Sequence, residues 1–447
     1  MSKVNTQKYL FFLTNEIIMN EISNSDLLIK RKELLGENVP TFYEKPIHIV
    51  KGEGVWLWDN NGKKYLDCYN NVPHVGHCHP DVVNAITKQA STLNTHSRYL
   101  HEGILDYAEK LTSTFYKNLS TVIMTCTGSE ANDVAIRMAN SITGKNGIIS
   151  TDHTYHGNTA LVSQLSKTNP PKDGFLHNFK HVIAPDSYRP LGGKSSSLHS
   201  KLFADEIEKK IIDLKNSNYG FSALILCPFF ANEGFPNLPP GWLSPTEKIV
   251  KKHGGLIIAD EVQPGFGRMG SHMWAHQMMD LKPDIVTIGK PMANGHPVGA
   301  VISSKTNINL FRTTYNYFNT FGGNPVSCAA AMEVLNIIEK EDLMNNALNV
   351  GNYAIKSLKK LANNHEIIGD IRGKGLFFGI EFVTDKKLKT PATNITKKIV
   401  NDLRNNGILL NNSGIYGNTL KIRPNMQFSK NNTDFLIKTL EDVIRKI

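Results

Sequence analysis

The chain has 447 residues, 40% hydrophobic and 20% charged, which is the composition of a globular protein with two or three domains and not that of a disordered chain. Its net charge of +10 is dispersed, with no aromatic-basic motif, which argues against nucleic acid and for small anionic ligands. No apolar run approaches the ~20 residues of a spanning helix, the short YLFFL run lacks a small-residue cleavage site, and five scattered cysteines fit a reducing cytoplasm.

In chain order, residues 1–40 mix a short helical pattern with charges and are expected to form an arm or first helix. IHIVKGEGVWLWD and KKYLDCYN then read as strands around Asn61-Gly62, a hairpin signal. NNVPHVGHCHP follows as loop text. His74, His77, Cys78 and His79 could suggest a metal, but no second Cys/His pair stands at a usable spacing, so none is expected. TVIMT (121–125) is a strand, and Thr127-Gly128-Ser129-Glu130 opens a helix. That opening reads equally as a capping box and as an anion site, because a helix start offers free N–H groups.

TDHTYHGN places Tyr155 and His156 after a further short strand. Residues 167–200, rich in Pro, Ser and Gly, read as a long surface excursion. SALIL (222–226) is a buried strand ending in CPFFANEG. GGLIIADEVQPGFGRMG (254–270) and PDIVTIGKPMANGHP (283–297) form the centre of the chain. The first carries an apolar strand into Asp260 and Glu261, the second a strand into Gly289-Lys290. Adjacent carboxylates after an apolar run need partners, since an unpaired buried charge is costly. An acid and a lysine at neighbouring strand ends lie where open α/β sheets bind ligands. Pyridoxal phosphate chemistry uses such a pair, the lysine as Schiff base and the carboxylate as holder of the pyridine nitrogen.

The string D-E-V-Q-x-G-F-G-R-x-G with G-K-P-M-x-N-G-H-P resembles the class III aminotransferases, fold type I enzymes that use pyridoxal 5′-phosphate, and the likeness covers roughly residues 40–445. It implies an α/β architecture with a large, mainly parallel-sheet domain (71–330) and a smaller α+β domain built from 331–447 with the N-terminal arm and hairpin (1–70). It implies Lys290 as the Schiff-base lysine and Asp260 as the pyridine-nitrogen partner. Gln263 falls on the ring hydroxyl, Gly128 and Ser129 on the phosphate, and Tyr155, with His156 close behind, on the ring face. Thr320, in YFNTFGGNP, falls on the phosphate of a partner subunit, so a homodimer with shared sites is expected. Asn71, His74, Lys421 and Arg423 are candidate substrate contacts.

The main departure is Cys227-Pro228-Phe229, where most members carry Glu-Pro-Val; Glu233 stands further along the same loop. From Cys328 a long helical pattern runs to about Asn363. A strand-turn-strand follows with Arg372-Gly373 at the bend, then a helix, the strands ILLNN and TLKIRPNM, and a last helix. The resemblance implies either transfer of an amino group from a primary amine to an α-keto acid or elimination of phosphate and ammonia from an O-phosphorylated amine such as phosphoethanolamine. The loop motifs lean toward the ethanolamine-phosphate phospho-lyase branch, and Lys421 replaces an arginine that grips carboxylates in many members.

Overall fold

The computed structural model describes residues 23–193 and 195–447. Of these, residues 23–51 with 58–63 form one compact unit, and 52–57 with 64–193 and 195–447 form another. In the first unit the helix Asn24–Leu35 is capped by Ser23, whose side chain accepts from Asp26 N–H; the remainder of the expected arm, residues 1–22, lies outside the described residues. The hairpin expected at Asn61-Gly62 is present: Asp59 Oδ1 accepts from Asn61 N–H at 3.0 Å and Lys63 N–H at 2.9 Å, and Gly62 takes φ +77°.

The second unit is built on a seven-stranded sheet: β1 (Thr121–Thr125), β2 (Gly147–Thr151), β3 (Phe179–Val182), β4 (Phe221–Leu226), β5 (Leu256–Asp260), β6 (Ile285–Ile288) and β7 (Gly299–Ser303). Their spatial order is β1-β7-β6-β5-β4-β2-β3, with β7 antiparallel to both neighbours and the others parallel. The inner strands are apolar throughout because both faces are covered. Ala223, Ile225 and Ile258 pack under the helix Gly128–Thr143, while the alternate residues Leu224, Leu226 and Ile257 pack against the helix Ser196–Lys215. The stretch 167–200 is more ordered than its composition suggests: it contributes the edge strand β3 and the start of the Ser196 helix.

Beyond β7 the expected single long helix is two, Pro325–Lys340 and Leu343–Ala362, broken where Asp342 takes φ +49°. Residue 330, the expected domain boundary, falls inside the first of these. A second, antiparallel sheet follows in the order Ile368–Lys374, Phe377–Asp385, Thr419–Ile422, Asn411–Ser413. Its first turn is at Gly375 (φ +55°) and not at Arg372-Gly373, which remain in the strand. Arg372 stays there because it is buried on Glu381 Oε2 and on Asp370 at 3.0 Å, a cross-strand ion pair that a turn would expose. Ile408–Leu409 runs parallel to Lys64–Asp67.

Candidate active site

The carboxyl ends of the parallel strands converge on a cavity of ≈ 290 Å³. Gly128, Ser129, Tyr155, Asp260, Gln263 and Lys290 all line it, as do Cys227 and His296. Asp260 ends β5 directly opposite Thr287 of β6, and Lys290 follows three residues later, so sheet hydrogen bonds set the spacing between acid and lysine.

Asp260 is 4% exposed and fully engaged. Its Oδ2 accepts from Asn132 Nδ2 at 2.9 Å and meets His156 Nδ1 at 2.7 Å, and its Oδ1 accepts from Val262 N–H at 2.9 Å. Asn132 is itself fixed, since its Oδ1 accepts from Thr287 Oγ1 at 2.7 Å and its Nδ2 also donates to the His156 carbonyl at 2.7 Å. His156 thus lines the cavity with its ring held on Asp260. Tyr155, 42% exposed, is the aromatic wall. The neighbouring Glu261 points the other way, as strand alternation requires. It is fully buried and binds Ala275 N–H at 3.0 Å, His276 N–H at 2.6 Å and His276 Nδ1 at 2.9 Å.

Lys290 is largely buried, and its ammonium is destabilised by burial first and by the Arg423 charge second, partly offset by Asp260 and Cys227, so its pKa lies below the ordinary lysine value. Its backbone is held at φ +22°, a strained conformation for a side-chain-bearing residue.

The helix Gly128–Thr143 begins at the cavity. Thr127 caps it by accepting from Glu130 N–H at 3.1 Å, while Glu130 reaches past the cap to Cys126 N–H at 2.6 Å. Such a cap contributes about 1 kcal/mol. It leaves the N–H groups of Gly128 and Ser129 without a partner among the described residues, so the cap does not use up the donors that an anion would need. Gly157 (φ +137°) passes so close to this turn that a Cβ would lie 2.4 Å from Ser129 Oγ.

Other expected residues take different places. Thr320 is exposed in a separate cleft with Cys126, Glu130, Arg137 and Tyr317, outside the cavity of its own chain. Asn71 is buried, its Nδ2 unpartnered among the described residues. Arg423 lies behind Gln263, donating to its Oε1, and its Nε donates to the Tyr69 carbonyl at 3.0 Å. Lys421 donates to the Ala231 carbonyl at 3.1 Å and to Asn232 Oδ1 at 2.9 Å. Both cations are buried and both have lowered pKa values; burial is the chief cause, with the Arg423 charge next for Lys421.

His74 is a correction. It is fully buried, with Nε2 on the Phe266 carbonyl at 2.7 Å and Nδ1 on Arg268 Nη2 at 3.1 Å, so no substrate can reach it. Burial and Arg268 push its pKa down to about 3. His77 and His79 are similarly occupied by Asp67 (2.7 Å) and Glu341 (2.9 Å). Glu233, the acid further along the loop from Cys227, makes no hydrogen bond to Lys421 among the described residues and acts on it through its charge alone. Its carboxylate accepts from Thr151 Oγ1 at 2.7 Å and Asn232 N–H at 3.0 Å, and burial raises its pKa.

Sequence reading missed Asn132, Thr287 and Asn232. Asn132 had one signal, a lone amide on an apolar helix face among Ala131, Val134 and Ala135.

This donor set fits pyridoxal 5′-phosphate: an unfilled N–H nest for a phosphate, a buried carboxylate for a protonated ring nitrogen, an amine of lowered pKa for the aldehyde, and a tyrosine for the ring face.

The sequence model of aminotransferase class-III matches residues 40–444. "Alanine--glyoxylate aminotransferase 2-like" of Drosophila melanogaster is 38% identical over 432 residues, covering 94% of this chain and 87% of that protein. "Ethanolamine-phosphate phospho-lyase homolog 1" of Caenorhabditis elegans is 36% identical, covering 94% of each. The solved structure of a phospholyase from Arthrobacter in complex with phosphoethanolamine superimposes with TM-score 0.91 at 39% identity, covering 94% of this chain and 100% of that one. The chain thus belongs to the class III aminotransferase family, with the α/β architecture of fold type I and pyridoxal 5′-phosphate as its cofactor.

Proposed function

We propose that this protein takes the amino group from a small primary amine and passes it to an α-keto acid. The observation that carries this reading is the buried Lys290 amine in the same cavity as Asp260. When bound, pyridoxal 5′-phosphate supplies an electron-withdrawing ring that acidifies the C–H next to the substrate nitrogen. Asp260, oriented by His156 and Asn132, keeps a proton on the ring nitrogen. Gly128 and Ser129 bind the phosphate, and Tyr155 covers one ring face. Lys290 would accept the C–H proton at Nζ and return it to the carbon on the far side of the nitrogen, a task eased by its lowered pKa. Thr320, exposed beside Phe321 (70% exposed), completes the phosphate site of a second copy, so the working unit is a homodimer. Five free thiols support a cytoplasmic location.

One observation favours a second reading, elimination of phosphate and ammonia from an O-phosphorylated amine. Lys421 and Arg423 stand behind the cavity with no carboxylate hydrogen-bonded to them among the described residues, and Cys227 lines the cavity where most members carry a glutamate. A neutral thiol in place of a carboxylate there leaves the cavity less negative, which suits a doubly charged leaving group. Incubation with phosphoethanolamine, and separately with primary amines plus pyruvate, distinguishes the two. Alanine formation supports transfer, phosphate release supports elimination, and neither from a broad amine panel overturns both.

A further inference from the structure

A relay of side chains runs behind Gln263. Its Oε1 accepts from Arg423 Nη1, a group that can only donate, so its Nε2 must face the other way. There Nε2 donates to Asn232 Oδ1 at 3.3 Å. The same oxygen accepts from Lys421 Nζ at 2.9 Å, and Lys421 also donates to the Ala231 carbonyl at 3.1 Å. Asn232 is gripped through its backbone as well, its carbonyl accepting from Gly414 N–H and from Ser413 Oγ, both at 3.2 Å. Of these residues Gln263 lines the cavity. Its amide has two N–H bonds, and with one on Asn232 the other remains for a group inside.

We propose that Asn232, anchored by Lys421, is a positioning residue that locks the Gln263 amide so that its remaining N–H meets the ring hydroxyl oxygen of the cofactor. This rests on the reading that the cavity holds pyridoxal 5′-phosphate with Gln263 at that oxygen. Nothing in the departing loop CPFFANEG predicts it, because the relay joins three distant segments. A donated hydrogen bond stabilises the ionised form of an oxygen and lowers the pKa of the proton coupled to it. The ionisable groups around the relay are Lys421 and Arg423, Glu233 and Cys227, and Asp260 and Lys290.

The test is a spectrophotometric pH titration of the visible band of the holoenzyme, with cofactor affinity measured alongside and folding checked by circular dichroism. Gln263→Leu sets the reference shift. Asn232→Leu is expected to raise the midpoint by about half a pH unit or more, in the same direction as Gln263→Leu. The double variant should show no shift beyond that of Gln263→Leu. If Asn232→Leu does not fold, Asn232→Ala, which removes the accepting oxygen and no charge, decides by the same midpoint. A folded variant whose midpoint stays at the wild-type value while Gln263→Leu moves, or a double variant whose shifts add, overturns the proposal. Wild-type protein with no visible band after incubation with pyridoxal 5′-phosphate would instead defeat the cofactor reading beneath it.

Discussion

His156 Nδ1 stands 2.7 Å from Asp260 Oδ2, the same oxygen that Asn132 holds at 2.9 Å. Two residues from different segments thus fix one carboxylate oxygen, and Thr287 in the adjacent strand fixes Asn132. The acid is oriented before any ligand arrives, so its field costs no reorganisation during turnover.

Asp260→Asn should retain the cofactor yet lose turnover by roughly 10²–10³-fold, the scale of a preorganised electrostatic contact. Stopped-flow rates with a reactive amine check this. Near-normal rates would mean that another residue serves the ring nitrogen.

Lys290→Ala should fold with a thermal midpoint within a few degrees of wild type and still bind the cofactor without a covalent link, because the Gly128-Ser129 nest is untouched. Turnover should fall below detection. Residual activity above a few per cent would remove Lys290 from its role.

The lowered pKa of Lys290 has a definite sign in pH. The amine reacts only when unprotonated, so the rate at which apoprotein captures pyridoxal 5′-phosphate should rise with pH to a midpoint below the ordinary lysine value of 10.5. Arg423→Met removes a charge that depresses it, so that midpoint should move upward. A downward move would contradict the assigned cause.

His74 gives a stability prediction. Only its neutral form, with the proton on Nε2, can donate to the Phe266 carbonyl and accept from Arg268. Its folded pKa of about 3 lies below the unfolded value of 6.5, so the unfolded chain binds the extra proton between those values. Stability is complete above pH 6.5 and declines as pH falls toward 3, by up to about 5 kcal/mol. Urea midpoints measured from pH 7 to 4 should therefore fall more steeply for wild type than for His74→Asn. Parallel slopes would show that His74 does not titrate in this way.

Thr320 is tested by complementation. Mixing Lys290→Ala with Thr320→Glu under confirmed subunit exchange should restore part of the activity, since one site of each mixed dimer is intact. No recovery would place Thr320 in its own subunit's site or in none.

The residues that were legible in the sequence sit on continuous text. Lys290, Asp260, Gly128 and Ser129 each end a strand or stand at the start of a helix, and Gln263 lies in the turn three residues past Asp260; strand ends are readable from apolar runs. Asn132, Thr287 and Asn232 were not readable, because each gains its role from a partner many residues away. His74 misled for the same reason: a histidine in a Gly- and Pro-rich loop looks accessible, yet Arg268, nearly two hundred residues later, closes over it. The turn placed at Arg372-Gly373 failed where glycine was taken as the bend; the ion pair to Glu381 carries the strand on to Gly375.

Arg423 reaches Tyr69 across 354 residues of sequence and Gln263 across 160. The second cause of the lowered Lys290 pKa is thus set by tertiary closure and not by local text, since Arg423 is held in place by Tyr69 and Gln263, each far from it in sequence. Any local opening that frees the Arg423 segment would remove that lesser cause and leave the larger one, burial of the amine, in force.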